Sequence, residues 1–593
     1  MSRSSAKWTI IGLVLVAVIG LAFIGGIAAL VGQSRPAEQG SVLEIDLAGQ
    51  VAEGPATDPF RQLLAALEER STWSLWDLRR ALEAAAKDEQ IAAVRLNIGE
   101  LAIGWAVADE ISDMLAAFRE SGKPVHAHLA GDAVNDLQYF LAAAADRVWI
   151  APEAGVMVNG LRFEIPFWRG TLDKLHIEPH VIMYKEYKSA GEPISRQEMS
   201  EHFREQLTAI GEDLQARAVE RIAKRIQKAT ADVVSAVDLG LLTADEAKEL
   251  GWVDELGYED QVAAELRGIA GTKKYQSVGV LRYLRGAPTP AIKGDRVALL
   301  FAEGPILSTG KESPLDEARI IGTKMAERID EATDDSEVKA IVMRVDSPGG
   351  SAVGSDYVWR AVKRAQEAGK PVVVSMSTVA GSGGYWISMA ADKIVAQPTT
   401  ITGSIGVVFA KLDVRGLYGL IGSNISDVTL AKNADLMSSF EPLKPDHEQR
   451  WRHWMDHVYG SFIKKVADGR HLSPEAVEAI AKGRIWSGVD AKENGLVDEL
   501  GGLDRAIALA RELGKLPATA PVQIYPRPKS FFAALSEVGN AGLLARRPDL
   551  ASLLTVGFGA TDVGQVRAAG DRLLLESLGK PQPWVLMPSV VGD

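Results

Sequence analysis

Cysteine is absent from the 593 residues of this chain, which removes thiol nucleophiles, disulfides and thiolate metal sites from consideration. The absence fits an oxidising compartment. Positive charge is not in excess either. Lys and Arg number 65 against 78 Asp and Glu, a formal net charge of -13, so the basic stripe that a nucleic-acid surface requires is missing. Histidine is sparse, at 9 residues, and no conventional Ser-His-Asp arrangement presents itself. His453 and His457 stand at the i, i+4 spacing of a helical metal pair, yet HWMDH lacks the glutamate of HExxH. No third ligand stands out, so neither a metal nor another cofactor is expected.

What the chain does have begins with one long apolar run. From Trp8 to Gly32 there are 25 residues without a charge, against the ~20 that span a bilayer as a helix. A cleaved signal peptide has an apolar core of ~7 to 15 residues and a small-x-small exit, whereas this run is longer and leads into QSRPAEQG. A retained transmembrane anchor over 8–32 is therefore expected. Arg3 and Lys7 precede it, which places residues 1–7 in the cytoplasm and the rest beyond the inner membrane.

The remainder is a domain-sized duplication. ESGKPVHAHL from Glu120 is echoed by EAGKPVVVSM from Glu367, AADRVWIAP from Ala144 by AADKIVAQP from Ala390, and AKELGWVDELG from Ala247 by AKENGLVDELG from Ala491. The offsets are 247, 246 and 244 residues, too long for a solenoid repeat. In both copies, apolar strand-like runs alternate with helical stretches, each closed by Gly just before Lys-Pro. That alternation argues for parallel βαβ units and an α/β core in each half. The expected domains are 41–271 and 295–515, joined by a linker over 272–294. A tail over 516–593 has no counterpart in the repeat. Within it FFAALSEVGNAGLLA reads as a core-packing helix, because the basic face of an interfacial one is missing.

The copies differ at polar positions. Ser382 lies between glycines in AGSGGYW, at a strand-to-helix transition where free helix N–H groups and the dipole favour developing negative charge. At offset 246 the first copy has Asp136 there. Gly383 offers one N–H to an oxyanion, and the DSPGGS loop (Asp346 to Ser351) lets the backbone approach a ligand closely, with Gly350 as the second donor. The first copy reads NIGELAIG at this place. Alternatively, a serine among glycines serves as a helix N-cap or tight turn. A phosphate loop is a further alternative, but GxxxxGK[ST] and GxGxxG do not occur nearby. A base for the serine is available if burial lowers a lysine from its usual pKa of about 10.4. Lys188, in EYKSAGEP after the strand-like HVIMY, is opposed by Ala434 at offset 246. An offset of 247 pairs Lys185 with Lys432, so both lysines stay open.

Over roughly residues 8 to 515 the anchor, the duplication, YKSA, DSPGGS, GSGGYW and TGSIG resemble the long form of signal peptide peptidase A. That is a membrane-anchored serine protease family of ClpP/crotonase-type fold. The resemblance implies that Ser382 is the nucleophile, Lys188 the general base, Ser404 of TGSIG a hydrogen-bond partner of that lysine, and Gly350 and Gly383 the oxyanion donors. At offset 246 the first copy has Val158 in place of Ser404. Further implications are ATP-independent cleavage of peptides, especially released signal peptides, a preference for apolar side chains, and a bowl-shaped homotetramer. Two other functions compete: an acyl-CoA hydratase or isomerase of the same fold class, and a non-catalytic membrane scaffold.

Overall fold

The computed structural model describes residues 37–55, 73–287, 292–310 and 318–527. The apolar run over 8–32 and the FFAALSEVGNAGLLA stretch lie outside the described residues. Among those described, no helix is long and apolar enough to cross a membrane.

Each half is built on a parallel sheet. The first contains β1 (Ser41–Gly49), β2 (Ile91–Leu101), β3 (Val125–Leu129), β4 (Arg147–Ile150), β5 (Glu178–Tyr184), β6 (Glu255–Leu256) and β7 (Ser277–Gly279). Apart from β5, these form one sheet in the order β7-β1-β2-β3-β4-β6, every pairing parallel. The second half has β8 (Arg296–Glu303), β9 (Val338–Ser347), β10 (Val372–Gly381), β11 (Lys393–Ala396), β12 (Ile401–Gly403), β13 (Val407–Asp413), β14 (Glu499–Leu500) and β15 (Val522–Ile524). The order β15-β8-β9-β10-β11-β14 repeats the first sheet, and β12 pairs with the far end of β10.

Local chemistry accounts for the elements. In β9 the run from Ala340 to Val345 is buried throughout, as a strand covered on both faces by helices must be. The helices α1 (Leu75–Lys87), α2 (Trp105–Arg119) and α3 (Glu201–Ile226) flank the first sheet, and α4 (Ala352–Glu367), α5 (Gly383–Ser388) and α6 (Pro445–Arg470) the second. Ser74, Ser200 and Ser351 each accept the N–H three residues on, in every case at 3.1 Å, and so start α1, α3 and α4.

Two sequence boundaries are corrected. The expected linker over 272–294 contains β7, which pairs with β1, and a helix at Val280–Gly286 whose Tyr283 donates to Asp88 at 3.0 Å. The tail beyond 515 likewise begins with β15, which pairs with β8 as β7 does with β1. Both edge strands are 3 residues long, too short for an alternating pattern to register.

The halves are joined by an antiparallel ribbon outside both sheets. β5 of the first pairs along its length with β13 of the second, Tyr184 opposite Val407 and Glu178 opposite Asp413. Helix α3 also reaches across: Gln206 Oε1 accepts the Ile485 N–H at 3.1 Å, and Ser487 donates to Asp213 at 2.5 Å.

Candidate active site

The ribbon determines which residues meet. Chain leaving β5 at Tyr184 lies beside chain entering β13 at Val407, so Lys188 and Ser404, just outside the pairing, are neighbours. Lys188 Nζ donates to the Ser404 carbonyl and approaches Ser404 Oγ, both at 2.9 Å, and lies 2.7 Å from Ser382 Oγ. All three residues are buried, with Lys188 1% exposed. Burial holds the Lys188 amine well below its ordinary pKa, because a charge loses its hydration there without an opposite charge in return.

Ser382 joins β10 to α5 at φ 57° and ψ -115°, a region that non-glycine residues occupy at a cost. Its N–H donates to the Gly403 carbonyl at 2.8 Å and its carbonyl accepts from Trp386. The side chain makes no capping bond to α5. The helix-cap alternative therefore fails, and the hydroxyl is left to face the amine.

Gly350 and Gly383 come together beside it. Gly350 has φ +147° and is held against Ile306, whose N–H donates to Gly349 and whose carbonyl accepts from Ser351, both at 2.8 Å. A Cβ on Gly383 would sit 3.1 Å from Gly350 N and 2.7 Å from Ser355 Oγ. Neither the Gly350 nor the Gly383 N–H has a hydrogen-bond acceptor among the described residues. Such paired free donors suit an oxygen that gains negative charge.

The other candidates are placed elsewhere. Lys185 is half-exposed and its Nζ is paired with Glu478 at 2.5 Å. His453 and His457 are exposed on α6, and the described residues hold no cluster of metal-binding side chains. In the first half, Asp136 accepts the N–H groups of Gly160 and Asn159 at 3.1 and 3.3 Å, and Val158 is buried. In that half the carboxylate is taken up by backbone hydrogen bonds.

Two contributors went unnoticed in the sequence. The first is the Ser404 carbonyl, a backbone atom with no residue signature. The second is Gly483 at φ +87°, where a Cβ would lie 2.5 Å from Lys188 N. Its N–H donates to Ile405 at 2.8 Å, while Tyr187 N–H donates to the Lys482 carbonyl at 3.0 Å. Its one trace in the sequence is a glycine between Lys482 and Arg484 just before a strand.

A serine raised on a strained strand-to-helix turn, beside free backbone donors in a duplicated α/β fold, is the arrangement of a serine hydrolase. The chain belongs to Peptidase family S49, whose sequence model matches residues 117–273 and 364–517, once in each half. It is 32% identical to Serine protease SPPA, chloroplastic, of Arabidopsis thaliana, over 91% of this chain and 79% of that one. With Protease 4 of Salmonella typhi the identity is 34%, covering 86% of this chain and 85% of the relative. A solved structure of a ClpP1 mutant from Listeria monocytogenes aligns with 35% of this chain and 94% of its own at 14% identity, with a TM-score of 0.24, a likeness too slight to bear on function. The chain is thus a serine peptidase acting on peptides, which sets aside the hydratase and scaffold alternatives.

Proposed function

We propose that Ser382 and Lys188 form the catalytic dyad of this peptidase, each supplied by a different ClpP/crotonase-like half. The observation that carries the reading is the 2.7 Å approach of Lys188 Nζ to Ser382 Oγ in a buried setting. The neutral amine takes the hydroxyl proton as Oγ bonds to the peptide carbonyl carbon. The resulting oxyanion is received by the Gly350 and Gly383 N–H groups. The intermediate collapses as the lysine ammonium returns the proton to the leaving amine, giving an acyl-enzyme. Lys188 then deprotonates water, which attacks the ester and releases Ser382. Ser404 orients the lysine through both of its oxygens.

The wider reading is an ATP-independent, cofactor-free endopeptidase that degrades released signal peptides and other membrane-derived peptides, assembled as a homotetramer. The uncharged run over 8–32, with Arg3 and Lys7 before it, supports a single-pass inner-membrane anchor with periplasmic catalytic domains. A reporter fused after Gly32 checks the topology, and reporter activity in the cytoplasm would reverse it.

An acyl-serine-reactive fluorophosphonate applied to the purified chain tests the dyad. Labelling is expected to disappear in Ser382→Ala and Lys188→Ala and to persist in Lys185→Ala. Labelling that survives Ser382→Ala would sink the assignment. Gly483→Ala extends the test: its Cβ displaces the Lys188 backbone, and a misplacement of about 1 Å at a reacting group costs on the order of 10²-fold. A loss of about that size in kcat for a reporter peptide, with KM little changed, is expected.

A further inference from the structure

Three consecutive residues that carry no reacting group set the backbone on which Lys188 and Ser404 rest. The Lys482 carbonyl accepts the Tyr187 N–H at 3.0 Å, the Gly483 N–H donates to Ile405 at 2.8 Å, and the Arg484 carbonyl accepts the Ser404 N–H at 2.7 Å. Residues 482–484 therefore fix the chain one residue before Lys188 and at Ser404 itself. We propose that Tyr459 and Glu478 are positioning residues for Lys188, acting on it through this segment. The inference rests on the dyad proposed above and deepens it by naming what holds the base in place.

The segment does not support itself. Lys482 has φ 57° and Gly483 φ +87°, and a left-handed lysine persists only where its surroundings hold it. The short helix Pro474–Ile480 ends just before it, and the Lys482 N–H donates to Tyr459 Oη at 3.2 Å. Tyr459, on α6, is 5% exposed, and its hydroxyl donates to one oxygen of Glu478 at 2.7 Å. The other Glu478 oxygen accepts from Lys185 Nζ at 2.5 Å. Burial first and this carboxylate second push the Tyr459 hydroxyl up, so it keeps its proton for Glu478 while its oxygen accepts from Lys482. A closed circuit results. It runs from the Lys185 side chain through Glu478, Tyr459 and Lys482 back to the Tyr187 backbone, and the Lys188 N–H donates to the Lys185 carbonyl at 3.0 Å.

The first half's copy of this region lacks the circuit. Helices α3 and α6 are both 26 residues long and end at left-handed residues, Gln227 and His471, which are 244 positions apart. At that offset Gln215 stands for Tyr459, Val234 for Glu478, Asp238 for Lys482 and Leu239 for Gly483. The Asp238 and Leu239 N–H groups donate to Val234 and Ala236, in the turn behind them. The tyrosine and the glutamate are therefore missing from the copy that has Asp136 and Val158 in place of Ser382 and Ser404. Around the circuit, Glu186 pairs with Lys482 at 2.9 Å and Glu205 with Arg484 at 2.6 Å. These pairs are open to solvent and contribute little. The buried Tyr459 hydroxyl differs, because removing it leaves the Lys482 N–H without its acceptor.

Cleavage of a reporter peptide by the full chain in detergent, followed across pH, tests the role. Tyr459→Phe and Glu478→Ala are expected to lower kcat about 10- to 100-fold with KM little changed, since a displacement of about 1 Å at a reacting group costs on the order of 10²-fold. A base that moves regains hydration, so in both variants the rising limb of activity is expected to shift to higher pH. Glu478→Gln, whose amide oxygen still accepts from Tyr459, is expected to restore most of kcat and the original limb. Lys185→Ala leaves that bond in place and is expected to cost only a few-fold. A limb shifted to lower pH in Glu478→Gln would make the carboxylate's charge the agent and overturn the proposal. Unchanged kcat in Tyr459→Phe would do the same. So would a loss shared by kcat and KM, with an unmoved limb and a lowered thermal unfolding midpoint, which marks a structural role alone. Lys188→Met in the same assay separates the two readings. If it is inactive while Tyr459→Phe and Glu478→Ala match the parent chain, the dyad stands and the positioning role falls. If it keeps full activity, the dyad falls and the positioning role with it.

Discussion

Replacing Lys188 with methionine is expected to lower kcat/KM for a reporter peptide by about 10⁴-fold or more, with the loss in kcat. Nucleophile and base act as one unit, so removing either forfeits most of what both contribute. Methionine keeps the volume of the buried stem, which separates loss of the amine from loss of packing. Ser404→Ala is expected to cost far less, on the order of 10-fold, since the Ser404 carbonyl still accepts from Nζ. The pH profile identifies the titrating group. Burial lowers the Lys188 pKa, so activity rises with pH as the ammonium loses its proton. Stability moves the same way: between the lowered folded value and the ordinary 10.5 the unfolded chain binds the extra proton, and stability increases as pH rises through that window. Asp346 provides the contrast. Burial first and Glu53 second push its carboxyl up to about 7, so between 3.8 and about 7 the folded chain holds the extra proton and stability falls as pH rises. Its Oδ1 accepts the Val379 N–H at 2.9 Å, on the strand leading to Ser382. Asp346→Asn is expected to flatten that stability slope while leaving the rising limb of activity in place. Loss of the limb in Asp346→Asn would assign it to the carboxylate and remove Lys188 as the base.

The duplication, the α/β class and the Gly-flanked Ser382 were legible because each leaves a local trace, whereas the residues alone left Lys185 and Lys188 both open. Parallel strands covered on both faces are unbroken apolar runs, helix stops are glycines, and a serine between glycines at a strand end is a distinctive string. Pairing was not legible. No sequence pattern says that β5 abandons its own sheet to pair with β13, and that contact helps bring Lys188 rather than Lys185 to Ser382. Neither the three-residue edge strand β7 nor its counterpart β15 shows a period. The Ser404 carbonyl and the Gly483 contact are backbone geometry. The ion cluster that binds the halves was also invisible, since its members are 291 and 234 residues apart.

That cluster is the source of the largest expected effect on stability. Arg344 on β9 is fully buried, with Nε donating to Glu53 at 2.8 Å, one terminal nitrogen to Ser375 at 2.8 Å, and the other to Glu110 at 2.5 Å and Ser377 at 3.0 Å. Glu53 also accepts from Ser377, and Glu110, on α2, accepts the Leu503 N–H at 2.7 Å. Glu53 and Glu110 come from the first half, the remainder from the second. Burial raises the Glu110 carboxyl above its ordinary value, and the guanidinium beside it pulls in the opposite direction. Arg344→Leu strands two buried carboxylates and is expected to cost about 3 to 5 kcal/mol. Arg344→Leu combined with Glu53→Gln and Glu110→Leu removes both charges and is expected to recover most of it, the two being compared by urea unfolding midpoints. An equal loss in both variants would show that shape and not charge holds the halves together. Arg344 lies two residues before Asp346 and six before Gly350, on the strand that feeds the Gly350 loop. A stable triple variant that still hydrolyses the reporter peptide would show that the halves need close contact but not this charge. A stable triple variant without activity would show that the arginine sets the Gly350 loop as well as the seam.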